Sequence, residues 1–267
     1  MARPKEDLAV VGKNWARLDG ADKVSGRSIF ADDVRLPGML FGKVVRSPHA
    51  HARIVSIDTS EAEALPGVKA VVTPDDAKGI YIGISQPLLP TGVVNHVGHE
   101  VVAIAATSER IAAKAAGLVR IEYEALPDLT NLEDALKADA PQLHKKAEGN
   151  VGWEVKEDHG DPDAAFAGCD VIREDEFVTN ASHNCYAEYH VCVSDFSQAG
   201  KLVMWTPTQT AVLFQKALAA AFKMDDSDVR LLTLNSGGGF TGRTSARPHH
   251  FLSALLSRKA GRPVRLR

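Results

Sequence analysis

Cysteine is scarce in this sequence: only Cys169, Cys185 and Cys192 occur among its 267 residues. They form no C-x-x-C pair and no even-numbered disulfide framework. An iron–sulfur cluster ordinarily takes four thiolates, and a structural zinc site needs four closely spaced ligands. We therefore expect neither on this chain, and three reduced cysteines are typical of a cytoplasmic protein.

Long apolar runs and an excess of basic charge are also absent. The longest apolar stretches, such as residues 101–106 and 217–222, are far too short to span a bilayer. The formal net charge of −3 gives no reason to expect a nucleic-acid partner. Residues 1–7 lack the apolar core of a signal peptide, so we expect no export and no membrane association.

The apolar pattern mixes strands and short helices with no fixed-period repeat, which predicts an α/β or α+β arrangement. The predicted strands are residues 39–46, 53–58, 68–73, 100–106, 118–124, 170–179, 189–196, 200–206 and 229–234. The predicted helices are one that begins at Ser60-x-x-Glu63, then residues 108–116, 161–168, 209–223 and 248–259.

Two further features bear on domain organisation. Residues 138–160 are polar and contain Pro141, Gly149 and Gly160, so we predict a linker between two domains there. The chain stops on the β-prone residues 263–267 with nothing after them to complete a sheet. This ending suggests a fragment, or a subunit whose fold is completed by another chain.

The sharpest local feature is the loop Ser236-Gly-Gly-Gly-Phe-Thr-Gly-Arg243 after a predicted strand. Its glycines satisfy the G-x-G-x-x-G dinucleotide pattern, but an acidic residue about 20 positions further on is missing, which argues against NAD or FAD. Two interpretations stay open. Glycines let a backbone approach a flat or anionic ligand closely, or they form an ordinary tight turn.

Two histidines and a glutamate lie in the run His183-Asn-Cys-Tyr-Ala-Glu-Tyr-His190. The H-E-x-x-H spacing is absent, and in a strand these side chains would alternate between faces. Polar packing is therefore a better interpretation than a metal site. Hydrolase and phosphate-loop motifs are absent too.

A series of short motifs runs in order along nearly the whole chain. They are Val11-Gly-Lys13, Arg17-Leu-Asp19, Lys23-Val-Ser-Gly26, Pro37-Gly-Met-Leu40, Arg46-Ser-Pro-His-Ala-His-Ala52, Pro66-Gly-Val68, Val97-Gly-His-Glu-Val-Val102, Tyr123-Glu-x-Leu-Pro127, Thr206-Pro-Thr-Gln209, Gly237-Gly-Gly-Phe240 and Arg262-Pro-Val-Arg265. The series closely resembles the start of molybdenum hydroxylase large subunits, the xanthine dehydrogenase/aldehyde oxidase family. This resemblance implies an α+β fold with an a/b hammerhead domain at residues 20–137. An extension (1–19) would precede it, and the linker (138–160) and the first part of a molybdopterin-binding domain (161–267) would follow.

The resemblance also implies the site residues. Gln209 matches the family glutamine that hydrogen-bonds an oxygen of the molybdenum centre, which makes it the candidate catalytic residue. No residue of this chain would ligate the metal. The candidate cofactor-binding residues form the glycine loop and are Gly238, Gly239, Phe240, Thr241, Gly242 and Arg243. The implied cofactor is molybdopterin with molybdenum, as the cytosine dinucleotide.

This sequence departs from the family pattern at informative places. Thr241, Arg243 and Thr244 stand where the family commonly has Gly, Lys and Glu, and the missing glutamate argues against purine substrates. Ala187-Glu188-Tyr189 keeps only the carboxylate of a family motif. The family's general base, in a G-x-G-E motif, does not occur among the 267 residues. We therefore expect a split subunit, with a second molybdenum subunit that supplies the base.

The resulting hypothesis is a molybdenum-cofactor subunit of a multi-subunit oxidoreductase, with iron–sulfur and FAD subunits as further partners. It would activate water for hydroxylation or dehydrogenation of a small organic carbonyl or aromatic substrate. Two alternatives stay open: hydration or alcohol dehydrogenation of a ketone-bearing substrate, and a non-catalytic subunit that completes its partner's fold.

Overall fold

The computed structural model describes residues 9–82, 86–144, 147–157 and 159–267. Parts of the predicted extension (residues 1–8) and of the predicted linker (145, 146 and 158) lie outside these ranges. The described strands are β1 (Leu40–Arg46), β2 (Ala52–Asp58), β3 (Val68–Val72), β4 (Tyr81–Ile82), β5 (Gln86–Pro87), β6 (Val93–Val94), β7 (Glu100–Ala106), β8 (Arg120–Ala125), β9 (Cys192–Asp195), β10 (Leu202–Trp205), β11 (Val229–Leu232) and β12 (Val264–Leu266). The α-helices are α1 (Gly20–Val24), α2 (Ser60–Ala64), α3 (Glu109–Ala116), α4 (Leu132–Ala135), α5 (Pro162–Ala167), α6 (Ala211–Phe222) and α7 (Pro248–Ala260).

One seven-stranded sheet runs through both halves of the chain, in the order β11-β10-β9-β12-β1-β7-β3. Strand β12 pairs parallel to β1, with Leu40 opposite Val264, and antiparallel to β9, with Val264 opposite Ser194. The expectation that the last strand lacks a sheet is therefore wrong. Within this β-prone ending, Val264–Leu266 form the strand in the middle of the sheet. The sheet joins strands from both sides of residues 138–160, and the domain boundaries placed there remain a prediction.

The composition of β7 and α7 explains why they form the core. Six of the seven residues of β7 are buried, as expected for a strand covered on both faces. Helix α7 begins with Pro248 at its first position and is followed by Gly261, whose φ of 63° glycine adopts easily. Residues 250–257 of this helix are all buried, and the helix packs against β9, β12, β3 and β7.

A smaller sheet, β6-β2-β8, belongs to a second apolar cluster around α2 and α3. Ser108 caps α3 by accepting a hydrogen bond from the backbone N–H of Ile111. Among the described residues no helix has the length and apolar character needed to cross a membrane.

The strand predicted at residues 170–179 is wrong: these residues contain neither strand nor helix. Their apolar members are exposed, with 84% of Val171 and 87% of Phe177 accessible. A strand needs a neighbour to satisfy its backbone groups, and no described strand pairs with this segment. The predicted start of α2 also differs, because Thr59 precedes the helix and its hydroxyl donates to Glu63.

We expect Leu266→Ala to lower the free energy of unfolding by about 2–5 kcal/mol, as for other fully buried leucines. Leu266 is 0% exposed in the centre of the sheet. Leu213→Ala is the control, because Leu213 is 61% exposed on α6 and its loss should cost about 0.5 kcal/mol or less. Urea unfolding measures both. Equal losses would show that β12 does not hold the sheet together.

Candidate functional site

Sheet topology brings three loops to one edge of the large sheet. Strands β10 and β11 are parallel, so both end at this edge, with Trp205 opposite Leu232. Strand β9 runs antiparallel to β10 and therefore begins there. The segment before β9 (residues 183–191), the segment after β10 (206–210) and the glycine loop after β11 (236–243) consequently meet.

A buried ion pair between Glu188 and Arg243 holds the glycine loop. Arg243 donates through Nη1 to Oε2 of Glu188, and the two side chains are only 2% and 12% exposed. The same carboxylate oxygen accepts the backbone N–H of Gly237 at 2.6 Å. Arg243 also donates to Oγ of Ser236 at 2.8 Å. One carboxylate thus anchors both ends of the loop, from Gly237 to Arg243.

The guanidinium of Arg243 points inward, to the carboxylate of Glu188 and to the backbone oxygens of Glu188 and Tyr189. The cofactor-binding role expected for Arg243 stays a prediction. Oε1 of Glu188 and Nε of Arg243 are buried without a hydrogen-bonding partner among the described residues. The Arg243 side chain therefore acts on the loop's shape.

Glycine is required in the loop because other side chains occupy the space of a Cβ atom. A Cβ at Gly237 would lie 2.7 Å from Cβ of Glu188, and one at Gly239 would lie 2.5 Å from Cδ of Gln209. A Cβ at Gly242 would lie 2.6 Å from the hydroxyl of Tyr186. The loop therefore packs directly against the side chains of Glu188, Gln209 and Tyr186.

Gln209 is placed by the same loop. Its backbone N–H donates to the carbonyl oxygen of Arg243 at 2.9 Å, and Thr208 donates to that oxygen through its hydroxyl at 3.2 Å. Thr210 donates to the carbonyl of Thr244 at 2.8 Å. The side chain of Gln209 is exposed and its amide lies against Gly239. An amide N–H beside bare backbone can donate to an oxygen of a bulky ligand.

The predicted loop residues 238–242 lie together at the open end of the site. Phe240 is 58% exposed, and Phe240 and Thr241 hold φ values of 39° and 60°, which residues with a Cβ adopt reluctantly. The backbone N–H of Gly242 donates to the carbonyl of Gly239 at 2.8 Å. Strain of this kind persists where surrounding contacts dictate the loop's shape, as the Glu188 anchor does here.

Histidines form the wall behind the loop. Nε2 of His190 hydrogen-bonds the hydroxyl of Tyr186, and Nδ1 of His183 accepts the backbone N–H of Cys185 at 2.9 Å. Burial lowers the pKa of His250 to about 3 and holds the pKa of His249 well below its usual range. Both rings are therefore neutral at neutral pH. Among the described residues, histidine, cysteine and carboxylate side chains form no group of three that could hold a metal ion.

Sequence reasoning did not place Glu188, Tyr186 and His249 near the glycine loop. The only signal for Glu188 was its place in Ala187-Glu188-Tyr189, and nothing in the sequence connected it with Arg243, 55 positions away. These contacts depend on the meeting of the three loops.

Comparisons with known proteins agree with this architecture. Residues 143–267 match the family model of the molybdopterin cofactor-binding domain. Residues 25–127 match that of the aldehyde oxidase and xanthine dehydrogenase a/b hammerhead domain. The chain therefore belongs to the aldehyde oxidase and xanthine dehydrogenase family of molybdenum hydroxylases, and both the resemblance and the α+β hammerhead fold are confirmed.

Individual relatives cover nearly all of the chain. It is 32% identical to the carbon monoxide dehydrogenase large chain of Afipia carboxidovorans, over 99% of this chain and 35% of that protein. It is 33% identical to the nicotinate dehydrogenase large molybdopterin subunit of Eubacterium barkeri, over 98% of this chain and 62% of that protein. The structure of quinoline 2-oxidoreductase from Pseudomonas putida 86 superposes with a TM-score of 0.84 at 30% identity, over 96% of this chain and 34% of that one. The chain thus spans about a third to three fifths of these relatives.

The residues present fit a molybdopterin cofactor. The cofactor is bulky and anionic, and the loop offers bare glycine backbone with the Gln209 amide beside it. The nearby carboxylate of Glu188 is turned inward and neutralised by Arg243, so it does not repel an anion at the open face.

We expect Arg243→Ala to lower the free energy of unfolding by about 3–5 kcal/mol, because it leaves the Glu188 carboxylate buried and unpaired. Arg53→Ala is the matched control: Arg53 pairs with Glu124 at 3.1 Å, but the side chains are 58% and 55% exposed, so the expected loss is at most about 1 kcal/mol. Urea unfolding measures both. Similar small losses would rule out an anchoring role for the Glu188–Arg243 pair.

Proposed function

We propose that this chain is part of the molybdenum-cofactor subunit of a multi-subunit molybdenum hydroxylase, an oxidoreductase. The observation that carries the proposal is the Gln209 amide, which lies against the bare backbone of Gly239. In this proposal Gln209 donates its amide N–H to an oxygen of the cofactor. Gly238, Gly239, Phe240, Thr241 and Gly242 contact the cofactor, and Arg243 positions them through Glu188.

The cofactor in this proposal is molybdopterin with molybdenum, in its cytosine dinucleotide form. When bound, it supplies two-electron redox chemistry and activates water for attack on an organic substrate. The residues of this chain bind and orient it, and their charges are already paired before it arrives. Binding therefore requires no new compensation for a buried charge on the protein.

Partners complete the proposed enzyme. The catalytic base of the family lies outside residues 1–267, and we assign it to a second molybdenum subunit, with iron–sulfur and FAD subunits as electron acceptors. The names of relatives support an assembly, since they include a large molybdopterin subunit and a component of a dehydrogenase complex. The three cysteines form no disulfide, which supports a cytoplasmic location.

The proposed substrate is a small organic carbonyl or aromatic compound. Thr244 occupies the position of the family glutamate, and its hydroxyl donates to the carbonyl of Thr241 at 2.8 Å. The uncharged hydroxyl of Thr244 therefore brings no negative charge to a substrate. Because this carboxylate is absent, hydration or alcohol dehydrogenation of a ketone-bearing substrate stays open as the alternative reaction.

Gln209→Ala in the assembled complex should raise the activation free energy by about 1–3 kcal/mol, the range for loss of one hydrogen bond to a desolvated group, and should lower turnover accordingly. Assembly should be unaffected, because the backbone bond from Gln209 to Arg243 remains. Gln198→Ala, at an exposed position after β9, is the control. Molybdenum content and steady-state kinetics are the measurements. If Gln209→Ala left both the molybdenum content and the kinetics unchanged, the result would favour the non-catalytic, structural subunit.

Gly239→Val should impair cofactor loading far more than Thr241→Gly. The valine Cβ would fall within 2.8 Å of Cδ, Nε2 and Oε1 of Gln209, so the amide must move away. Thr241→Gly removes the side chain from a residue at φ 60° and relieves backbone strain. Molybdenum and pterin contents per complex measure the difference. Full loading of both variants would remove this loop from the cofactor site.

A further inference from the structure

Residues 161–179, which we call the arm, form an exposed segment between the predicted linker and β9. Every residue of the arm is exposed. Its described hydrogen bonds and ion pairs join members of the arm to each other, such as the Asp161 carboxylate that caps α5 and the pair between Arg173 and Asp175. Among the described residues, no hydrogen bond or ion pair therefore ties the arm to the rest of the chain.

The arm carries large apolar side chains that water surrounds. Val171, Phe177 and Val178 are 84%, 87% and 83% exposed, and Phe166 and Ile172 are exposed as well. Soluble proteins rarely leave groups of such side chains in water unless another surface covers them in the assembled protein. The arm is thus a surface that a partner is expected to cover.

The sequence of residues 170–179 indicates how a partner covers them. Valine, isoleucine, phenylalanine and threonine, which favour strands, make up half of this segment. In an extended strand Val171 and Phe177 would lie on one face, and Ile172 and Val178 on the other. Both faces would then be covered, and neighbouring strands would bind the backbone N–H and C=O groups. A sheet of another chain meets these demands when it takes the segment as an additional strand.

The comparisons indicate which chain supplies that sheet. The arm lies within residues 143–267, which match the molybdopterin cofactor-binding domain. This chain spans only 35% of the carbon monoxide dehydrogenase large chain and 34% of quinoline 2-oxidoreductase. In these relatives most of the molybdenum subunit is therefore polypeptide outside the matched region. A second molybdenum subunit that corresponds to this polypeptide is the partner that the arm fits best.

Charge argues against a second copy of this chain as the partner. Glu174, Asp175 and Glu176 lie between the two apolar pairs, and residues 170–179 together carry a formal charge of −3, equal to that of the whole chain. Two arms that paired with each other would place carboxylates opposite carboxylates, which is destabilising. The surface that fits the arm is apolar and has basic side chains at its centre.

We propose that the arm docks on the second molybdenum subunit, with residues 170–179 added as a strand to a sheet of that subunit. This inference rests on the proposed function, which supplies that subunit. The arm gains its strand in the complex, because only there do its backbone groups and apolar side chains find partners.

Hydrogen exchange of the purified complex tests the proposal, measured by mass spectrometry and compared with the chain alone. The backbone amides of residues 170–179 should exchange at least about tenfold more slowly in the complex, because amides in a paired strand exchange only after local opening. The amides of Val264–Leu266, inside the central sheet, are the control and should be protected in both samples. Unchanged exchange at residues 170–179 on assembly would overturn the proposal. Protection in the isolated chain that increases with its concentration would overturn it in favour of a second copy.

Matched variants test whether the arm is the contact surface. Val178→Asp should weaken reassembly with the second molybdenum subunit at least about tenfold, because it buries an unpaired charge. Val24→Asp, at a position 90% exposed outside the arm, should not. Glu176→Lys should also weaken reassembly, whereas Glu133→Lys, at an exposed position on α4, should not. Size-exclusion chromatography of the purified subunits over a concentration series measures reassembly, and thermal unfolding verifies that each variant is folded.

The proposed function is measured separately in the same complex, by its molybdenum content and by the effect of Gln209→Ala on turnover. If the complex contains molybdenum and a second molybdenum subunit, but Val178→Asp and Glu176→Lys reassemble like the unaltered chain, the docking site is overturned and the proposed function stands. A complex without a second molybdenum subunit would contradict both.

Discussion

The pairing of three residues, Val264–Leu266, between β1 and β9 is the constraint on which the rest of the structure depends. It joins strands that are more than 200 positions apart into one sheet. Arg265 secures the pairing from a buried position, with ion pairs to Glu109 and to Asp32. Helix α7 packs against β9, β12, β3 and β7 of this sheet, and its beginning follows the glycine loop directly in the chain.

The Glu188–Arg243 ion pair then gives the glycine loop its shape. A flexible stretch rich in glycine would lose much conformational entropy on ordering, and one carboxylate that binds both ends offsets part of that loss. The three consecutive glycines face different neighbours: Gly237 meets Glu188, Gly238 meets Tyr186 and Gly239 meets Gln209. The backbone of the loop therefore packs between these side chains, and its ordered conformation depends on the Glu188–Arg243 ion pair.

Two surfaces with different chemistry result from this one loop. At Gly239 it presents bare backbone beside an amide, which suits an oxygen-rich cofactor. At Phe240 it turns a ring toward a cleft that is also lined by His183, His190, His249 and Arg247. The first surface lies in the part of the chain that matches the molybdopterin cofactor-binding domain. The second depends on residues outside the shared motifs, His183 and Arg247 among them.

The sequence by itself determined the family, the α+β class and most elements, because apolar periodicity and ordered motifs are local properties. It also indicated Gln209 and the glycine loop by resemblance. Only the tertiary structure decided that β12 is central, that residues 170–179 form no strand, and that the Arg243 side chain turns inward to Glu188. Those outcomes depend on which segments become neighbours, since a strand needs a partner and a buried charge needs its opposite. Pairing across such distances leaves no periodic signal in a single chain.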